Sequence, residues 1–92
     1  MKFNRESAVE RAKEDLAKRL GVKENEIKTA SVQDRDFPDM SLGAPSSDEV
    51  SAQMISTGWS INLSASGKSY EYRADKYQLR LLDFDGANHV IK

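Results

Sequence analysis

Residues 59–73 read WSINLSASGKSYEYR, and this stretch decides the fold class. Trp59, Ile61 and Leu63 alternate with polar residues, and Tyr70 and Tyr72 alternate with charged residues in the same way. An alternation with a period of two is typical of β-strands that have one buried and one solvated face. The Ser- and Gly-rich residues between the two runs favour a turn, so the stretch predicts an antiparallel hairpin.

The same kind of pattern extends on both sides of this hairpin. Alternating or β-branched runs predict strands over residues 27–37, 50–56, 59–65, 69–74 and 77–82. A change of parity at Thr29-Ala30 indicates a β-bulge in the first strand. Turns are expected at Thr57-Gly58 and at residues 74–76. The tail, residues 83–92, is compatible with an additional edge strand or with a frayed end.

A helix is predicted over residues 8–20, where the apolar positions recur at helical spacing: Val9, Ala12, Leu16 and Leu20. Ser7 and Glu10 fit a capping box at its start. Gly21 suits a left-handed cap at its end. Asp15 and Arg19 form an acid–base pair four residues apart, which we expect on the exposed side of the helix.

The expected architecture is a single α+β domain over residues 1–92, with the N-terminal helix packed on an antiparallel sheet of four to five strands. The chain has 92 residues, within the range of about 50–250 that one domain needs. It contains no cysteine, which excludes disulfides, thiolate metal sites and cysteine nucleophiles. The fold therefore depends on its apolar core.

The charge balance excludes some classes of partner. The 14 Lys and Arg residues nearly cancel the 15 Asp and Glu residues, whereas nucleic-acid binding requires a basic excess. We expect no nucleic-acid partner, and we assign the aromatic residues to core packing and cross-strand pairs rather than to base stacking: Trp59, Tyr70, Tyr72 and Tyr77. No stretch approaches the roughly 20 apolar residues of a transmembrane helix. The N-terminus lacks an apolar signal core, which leaves a cytoplasmic location, or a periplasmic or secreted one if an export signal was removed.

The sequence contains no recognisable catalytic constellation. His89 is the only histidine and lies close to the C-terminus, where we expect it to be exposed. The acidic cluster of Asp34, Asp36 and Asp39 lacks the spacing of a calcium loop. We therefore expect no catalytic residues, no metal site and no cofactor.

The long loop over residues 38–49 is the most informative irregular segment, because loops of this length in compact domains are often functional. Leu42 is an apolar residue in a polar connection, and it has two interpretations. Either it anchors the loop by packing underneath it, or the loop presents a rigid, proline-braced surface to a partner. Asp39 is expected to accept hydrogen bonds from loop amides in an Asx-turn. The candidate residues for interaction or loop anchoring are Phe37, Asp39, Leu42 and Trp59.

Residues 37–45 read FPDMSLGAP, and they are followed by Gly58-Trp59 and by Gly67-x-x-Tyr70-x-Tyr72-Arg73. Over about residues 8–75 the chain resembles a set of small, largely uncharacterised bacterial domains that carry a (Trp/Phe)-Pro-Asp-x-Ser-Leu-Gly-x-Pro loop. Members of that set often have cysteine where Ala44 stands, so a disulfide of those domains has no counterpart here. The order of helix and sheet is similar to PepSY-type domains, many of which lie in the bacterial envelope or in propeptides and are proposed to restrain proteases.

These observations favour a non-enzymatic protein-interaction module with loop 38–49 as its contact surface. The resemblance implies another protein as partner, such as a protease or an envelope protein. Two alternatives remain open at this point. One is a protease-inhibitor or propeptide-like domain that inserts the loop, and the other is a small-ligand-binding domain with a deep pocket.

Overall fold

The fold is one helix on one antiparallel sheet. The computed structural model describes residues 2–46, 49–50 and 52–91. Its elements are α1 (Arg5–Leu20), a short 3-10 helix (Glu24–Glu26), β1 (Lys28–Phe37), β2 (Ser56–Ala65), β3 (Lys68–Ala74), β4 (Leu79–Phe84) and β5 (Ala87–Val90). Each strand pairs with the next along the chain, in the order β1-β2-β3-β4-β5. The predicted α+β fold class is confirmed, with five strands.

The hairpin that the alternation predicts is formed by β2 and β3. Ile61 lies opposite Tyr72 and Leu63 lies opposite Tyr70, so their side chains share one face of the sheet. Ser66 and Gly67 both have positive φ angles, 51° and 77°, which is typical of the tight turns that match the twist of a hairpin. In β1 the pairing register shifts between Thr29 and Ser31, at the predicted bulge.

Helix α1 begins three residues earlier than predicted. Asn4 is its N-cap: the Asn4 Oδ1 atom accepts from the Ser7 N–H at 2.8 Å, and the Ser7 Oγ accepts from the Asn4 N–H at 2.9 Å. The predicted capping box of Ser7 and Glu10 is wrong, because asparagine is an equally good cap and adds a turn. At the other end, Gly21 adopts the expected left-handed conformation, with φ 69°.

The main core lies between α1 and one face of the sheet. Small alanines on the helix bring it close to the strands, and the large apolar side chains come mainly from the central strands. Its buried members are Ala8, Ala12, Leu16, Ala17, Ile27, Ile61, Leu63, Ala65, Tyr72, Ala74, Leu79 and Leu81. Among the described residues, no helix is long and apolar enough to cross a membrane.

A polar contact joins the helix to this core. The Tyr72 hydroxyl and the Arg19 Nε both donate to the Asp15 Oδ2 atom, each at 2.7 Å. The predicted pair of Asp15 and Arg19 is therefore present, but it faces the sheet rather than the solvent. Burial, reinforced by the hydrogen bond to Asp15, raises the pKa of Tyr72 well above its usual value. The Arg19 guanidinium also lies over the Phe84 ring, 5.4 Å from its centroid.

We expect Tyr72→Phe to lower the free energy of unfolding by about 1.5 kcal/mol. This is the lower end of the range for a hydrogen bond to a charged group, because Asp15 still accepts the hydrogen bond from Arg19 in the variant. Urea denaturation measures this loss. The control is Tyr70→Phe, at the half-buried tyrosine two residues away, for which we expect a change below about 0.5 kcal/mol. Equal losses in the two variants would contradict a structural role for the Tyr72 hydroxyl.

The predicted strand over residues 50–56 is wrong. Residues 50 and 52–55 lie outside every strand, residue 51 is outside the described residues, and β2 begins only at Ser56. The alternation there is not sufficient, because residues 52–55 have no strand to pair with. The predicted turn at Thr57-Gly58 is also wrong, since both residues pair with β1 as part of β2.

The last two strands also differ from the prediction. The strand expected over residues 77–82 begins at Leu79, because Asp75 starts a turn. The Asp75 Oδ1 atom accepts from the N–H groups of Tyr77 and Gln78, and the Gln78 carbonyl accepts from the Asp75 N–H. The described part of the tail forms the edge strand β5, which pairs with β4 beyond a tight turn.

Candidate functional site

The loop over residues 38–49 lies across the face of the sheet that is opposite to α1. Arg73 and Arg80 are neighbours of the core residues Tyr72 and Leu81, and therefore point away from the helix. The Arg73 Nη1 donates to the Leu42 carbonyl at 2.9 Å, and the Arg80 Nη1 donates to the Ala44 carbonyl at 3.2 Å. Residues 47 and 48 of the loop are outside the described residues.

Two amide side chains complete this attachment. The Gln78 Nε2 donates to the Met40 carbonyl at 2.7 Å, and the Asn88 Nδ2 donates to the Pro45 carbonyl at 3.0 Å. The described part of the loop forms no strand ladder, so side chains that come from β3, β4, β5 and the turn before β4 satisfy its acceptors instead. The loop therefore forms a third layer on the sheet, and hydrogen bonds to its backbone carbonyl groups hold it there.

Asp39 organises the first turn of the loop. Its Oδ1 atom accepts from the Ser41 N–H at 2.9 Å, the Ser41 hydroxyl at 2.5 Å and the Gly43 N–H at 3.2 Å. The hydrogen bond from the Ser41 hydroxyl and that from the Gly43 amide lower the pKa of Asp39 below its ordinary value. The geometry is the Asx-type turn that the sequence suggests for this residue.

Leu42 is fully buried beneath the loop. Its φ angle is 60° and that of Gly43 is 66°, and the Ala44 N–H donates to the Ser41 carbonyl at 3.0 Å. A left-handed conformation costs a residue other than glycine roughly 1–2 kcal/mol, so burial of the side chain and the bond from Arg73 must offset that cost. This placement corresponds to the anchor interpretation of Leu42.

Phe37 is buried at the end of β1, on the same face as the loop. The guanidinium groups of Arg35 and Arg73 lie over its ring, 5.5 and 5.7 Å from the centroid. Trp59 is half-buried and packs against the core on the helix face. The structure therefore brings Phe37, Asp39 and Leu42 together in the loop layer and separates Trp59 from them.

An ion pair that the sequence did not predict holds the end of the loop. Arg80 is buried, and its guanidinium donates two hydrogen bonds to the Glu49 carboxylate, one to each oxygen; the bond to Oε2 is 2.7 Å long. The Arg80 Nε also donates to the Gln78 Oε1 at 2.7 Å. The bonds from Arg80 and from the Ser46 N–H lower the pKa of Glu49 to about 2. No local pattern indicates this pair, because its members are 31 residues apart.

The depressed pKa of Glu49 makes the stability of the domain sensitive to acid. The stabilisation that ionised Glu49 contributes to the folded domain is complete above the ordinary pKa of 4.5 and is lost as the pH falls towards about 2. We expect Glu49→Gln to cost about 1.5–3 kcal/mol of unfolding free energy at pH 7. The difference between the two proteins should shrink towards zero near pH 2, as measured by denaturation at a series of pH values. A difference that is constant over this range would contradict the assignment.

An apolar groove lies at the end of the sheet where β1 ends and β2 begins. It encloses about 670 Å³ and is lined by Asp34, Met40, Met54, Ile55, Ser56, Thr57, Gly58, Trp59, Asp75, Lys76 and Tyr77. Met54, Ile55 and Tyr77 are 63%, 75% and 66% exposed. We call this set of residues the apolar groove. Sequence reasoning missed it because it assigned Met54 and Tyr77 to strands, where alternation suggested a buried face.

The acidic side chains and the single histidine of the described residues do not cluster. Within residues 2–46, 49–50 and 52–91, no group of three His, Asp or Glu side chains is arranged to hold a metal ion. His89 is half-buried in β5, and its Nε2 lies 2.9 Å from the Phe84 carbonyl oxygen. The expectation of an exposed tail histidine is wrong, because pairing with β4 places the ring edge-on against Phe84.

The fold and the groove define a small α+β domain with an antiparallel sheet, a helix on one face and a bound loop on the other. A family model described as a domain of unknown function (DUF8738) matches residues 9–82. The chain belongs to that family. No curated protein and no solved structure matches this chain.

Proposed function

We propose that the domain is a non-enzymatic protein-interaction module and that the apolar groove is its contact surface. One observation carries the proposal: the large apolar side chains of Met54, Ile55 and Tyr77 are largely exposed, and all three line the same groove. Contiguous apolar patches on the surface of small domains commonly mark sites of protein–protein interaction.

The loop contributes to this surface through Met40. The Met40 N–H donates to the Ala52 carbonyl at 3.0 Å, and the Met40 carbonyl accepts from Gln78 at 2.7 Å. Met40 is therefore held on both sides, with its side chain at the groove. The proposal moves the contact surface from loop 38–49 as a whole to Met40 and the segment that leads into β2. The rest of the loop serves to hold Met40 in place.

A paired affinity experiment tests the proposal. The double variant Met54→Asn/Ile55→Asn places two neutral polar side chains in the apolar groove at exposed positions, so the melting temperature should change little. The control is Val50→Asn, a substitution at a side chain that is 96% exposed and does not line the groove. We expect a partner that binds the purified wild-type and control proteins with similar Kd, and binds the double variant at least tenfold more weakly. Equal binding to all three proteins, or no partner for any of them, would overturn the proposal.

The two alternatives have weaker support. An inhibitor or propeptide-like function that inserts the loop requires it to leave the sheet, and the bonds from Arg73, Arg80 and Gln78 oppose this. A small-ligand site is usually a deep cavity, whereas the apolar groove is open to solvent. A PepSY-like role in the bacterial envelope rests on similarity of architecture, which is a weak basis for function.

A further inference from the structure

We infer that the apolar groove recognises a segment of another protein in which an arginine or lysine stands next to an aliphatic side chain. This inference rests on the proposed function and adds the chemistry of the partner. The aliphatic side chain would pack on Met54 and Ile55, and the cationic side chain would lie between Asp34 and Trp59.

The geometry that favours a cation is the pairing of Asp34 with Trp59. The two residues lie directly opposite each other in β1 and β2, so their side chains are neighbours on the helix face of the sheet. Both line the groove; Asp34 is exposed and Trp59 is half-buried. A carboxylate beside an indole offers an ion pair and a cation–π contact to the same guanidinium or ammonium group.

Among the described residues, no basic side chain forms an ion pair with Asp34 or lies over the Trp59 ring. The basic groups of the chain at the groove are Lys76, which lines it, and Lys2, whose Nζ lies 5.8 Å from the centroid of the Tyr77 ring. The ion pairs involve Asp15, Glu49 and Glu71. The cations that lie over aromatic rings lie over Phe37, Phe84 and Tyr77. Asp34 and Trp59 are therefore available to a cation that comes from a partner.

A second carboxylate strengthens the negative potential at this end of the groove. Asp36 follows Asp34 on the same face, and the Thr57 hydroxyl donates to its Oδ1 at 2.8 Å, which fixes the orientation of the carboxylate. An acidic side chain or a nucleic-acid phosphate placed beside Asp34 and Asp36 would be repelled by these two charges. A purely aliphatic segment would gain the apolar contacts alone, so a segment with an adjacent cation should bind more tightly.

A peptide selection with Trp59 as reporter tests the inference. A display library of random eight-residue peptides is selected against the full chain, and enriched peptides are then titrated while the fluorescence of Trp59, the only tryptophan, is followed. We expect the enriched peptides to carry Arg or Lys beside Leu, Ile, Val or Met. Replacement of that Arg or Lys by Gln in the peptide should raise Kd at least tenfold.

A double-mutant cycle identifies the residue of the domain that contacts the cationic side chain of the peptide. Asp34→Asn should weaken binding of the basic peptide, and in that variant the Gln substitution should cost less than it does in the wild type, because only the contact with Trp59 remains to be lost. The control Asp85→Asn removes an exposed carboxylate in the turn between β4 and β5 and should not change Kd. Peptides that are enriched for apolar residues alone, and bind the Asp34→Asn variant as tightly as the wild type, would overturn the inference but not the proposed function. Enriched peptides that bind the Met54→Asn/Ile55→Asn variant equally well would overturn both, and so would a selection that yields no binding peptide.

Discussion

Replacing Gly58 with alanine is expected to lower the free energy of unfolding by about 3 kcal/mol or more. A Cβ atom at position 58 would lie 1.9 Å from the Ala74 carbonyl oxygen and 2.9 Å from the Asp75 Cα. These neighbours are backbone atoms and cannot rotate away. The end of β3 would have to move, together with the turn that Asp75 organises.

The matched control for this prediction is Gly21→Ala. Gly21 has a left-handed φ of 69°, but a Cβ atom there meets nothing within 4 Å. The control therefore measures the conformational cost alone, about 1–2 kcal/mol, without a steric clash. Chemical denaturation of both variants compares them directly. If Gly58→Ala costs no more than Gly21→Ala, the close approach of β2 and β3 is not a constraint on this fold.

The second large effect is expected for Leu42→Ala, which should cost about 3 kcal/mol of unfolding free energy. Leu42 is fully buried between the loop and the sheet, so truncation removes apolar contacts and leaves a cavity. Alanine also retains the strain of the left-handed φ without the burial that offsets it. The melting temperature should therefore fall clearly.

Met40→Ala provides the control for this second prediction, because Met40 is in the same loop but is exposed at its surface. We expect a loss of less than about 1 kcal/mol for Met40→Ala, together with weaker partner binding. If Leu42→Ala leaves the melting temperature unchanged but abolishes partner binding, Leu42 does not anchor the loop. Leu42 would then belong to a contact surface rather than to the interior.

The parts of the fold that could be predicted are those that local patterns determine. The alternation around Ile61 and Tyr72 predicts the central hairpin, because a period of two places one face of each strand on a core. The apolar spacing that includes Leu16 predicts the helix, and Gly21 predicts its end. The start of α1 was misplaced because both Asn4 and Ser7 are good N-caps, and propensity alone does not choose between them.

The candidate site could be predicted only in part. The loop motif around Asp39 and Leu42 indicates an Asx-turn and a buried anchor, because both depend on residues close together in the chain. The attachment of the loop by Arg73 and Arg80 depends on which strands lie beneath it, which no local pattern contains. Residues 52–55 alternate like a strand, but they have no partner strand, so pairing rather than pattern decided their conformation.

Sequence alone determined the class of fold, the central hairpin, the helix and the internal turn of the loop, because each follows from a pattern within a short stretch of the chain. The tertiary structure decided which face of the sheet the loop covers, the pairing of Glu49 with Arg80, and the position of Asp34 beside Trp59. Those features join residues 25 to 43 positions apart, and only the strand register brings such residues together. The apolar groove belongs to this second group, since its walls come from four separate segments of the chain.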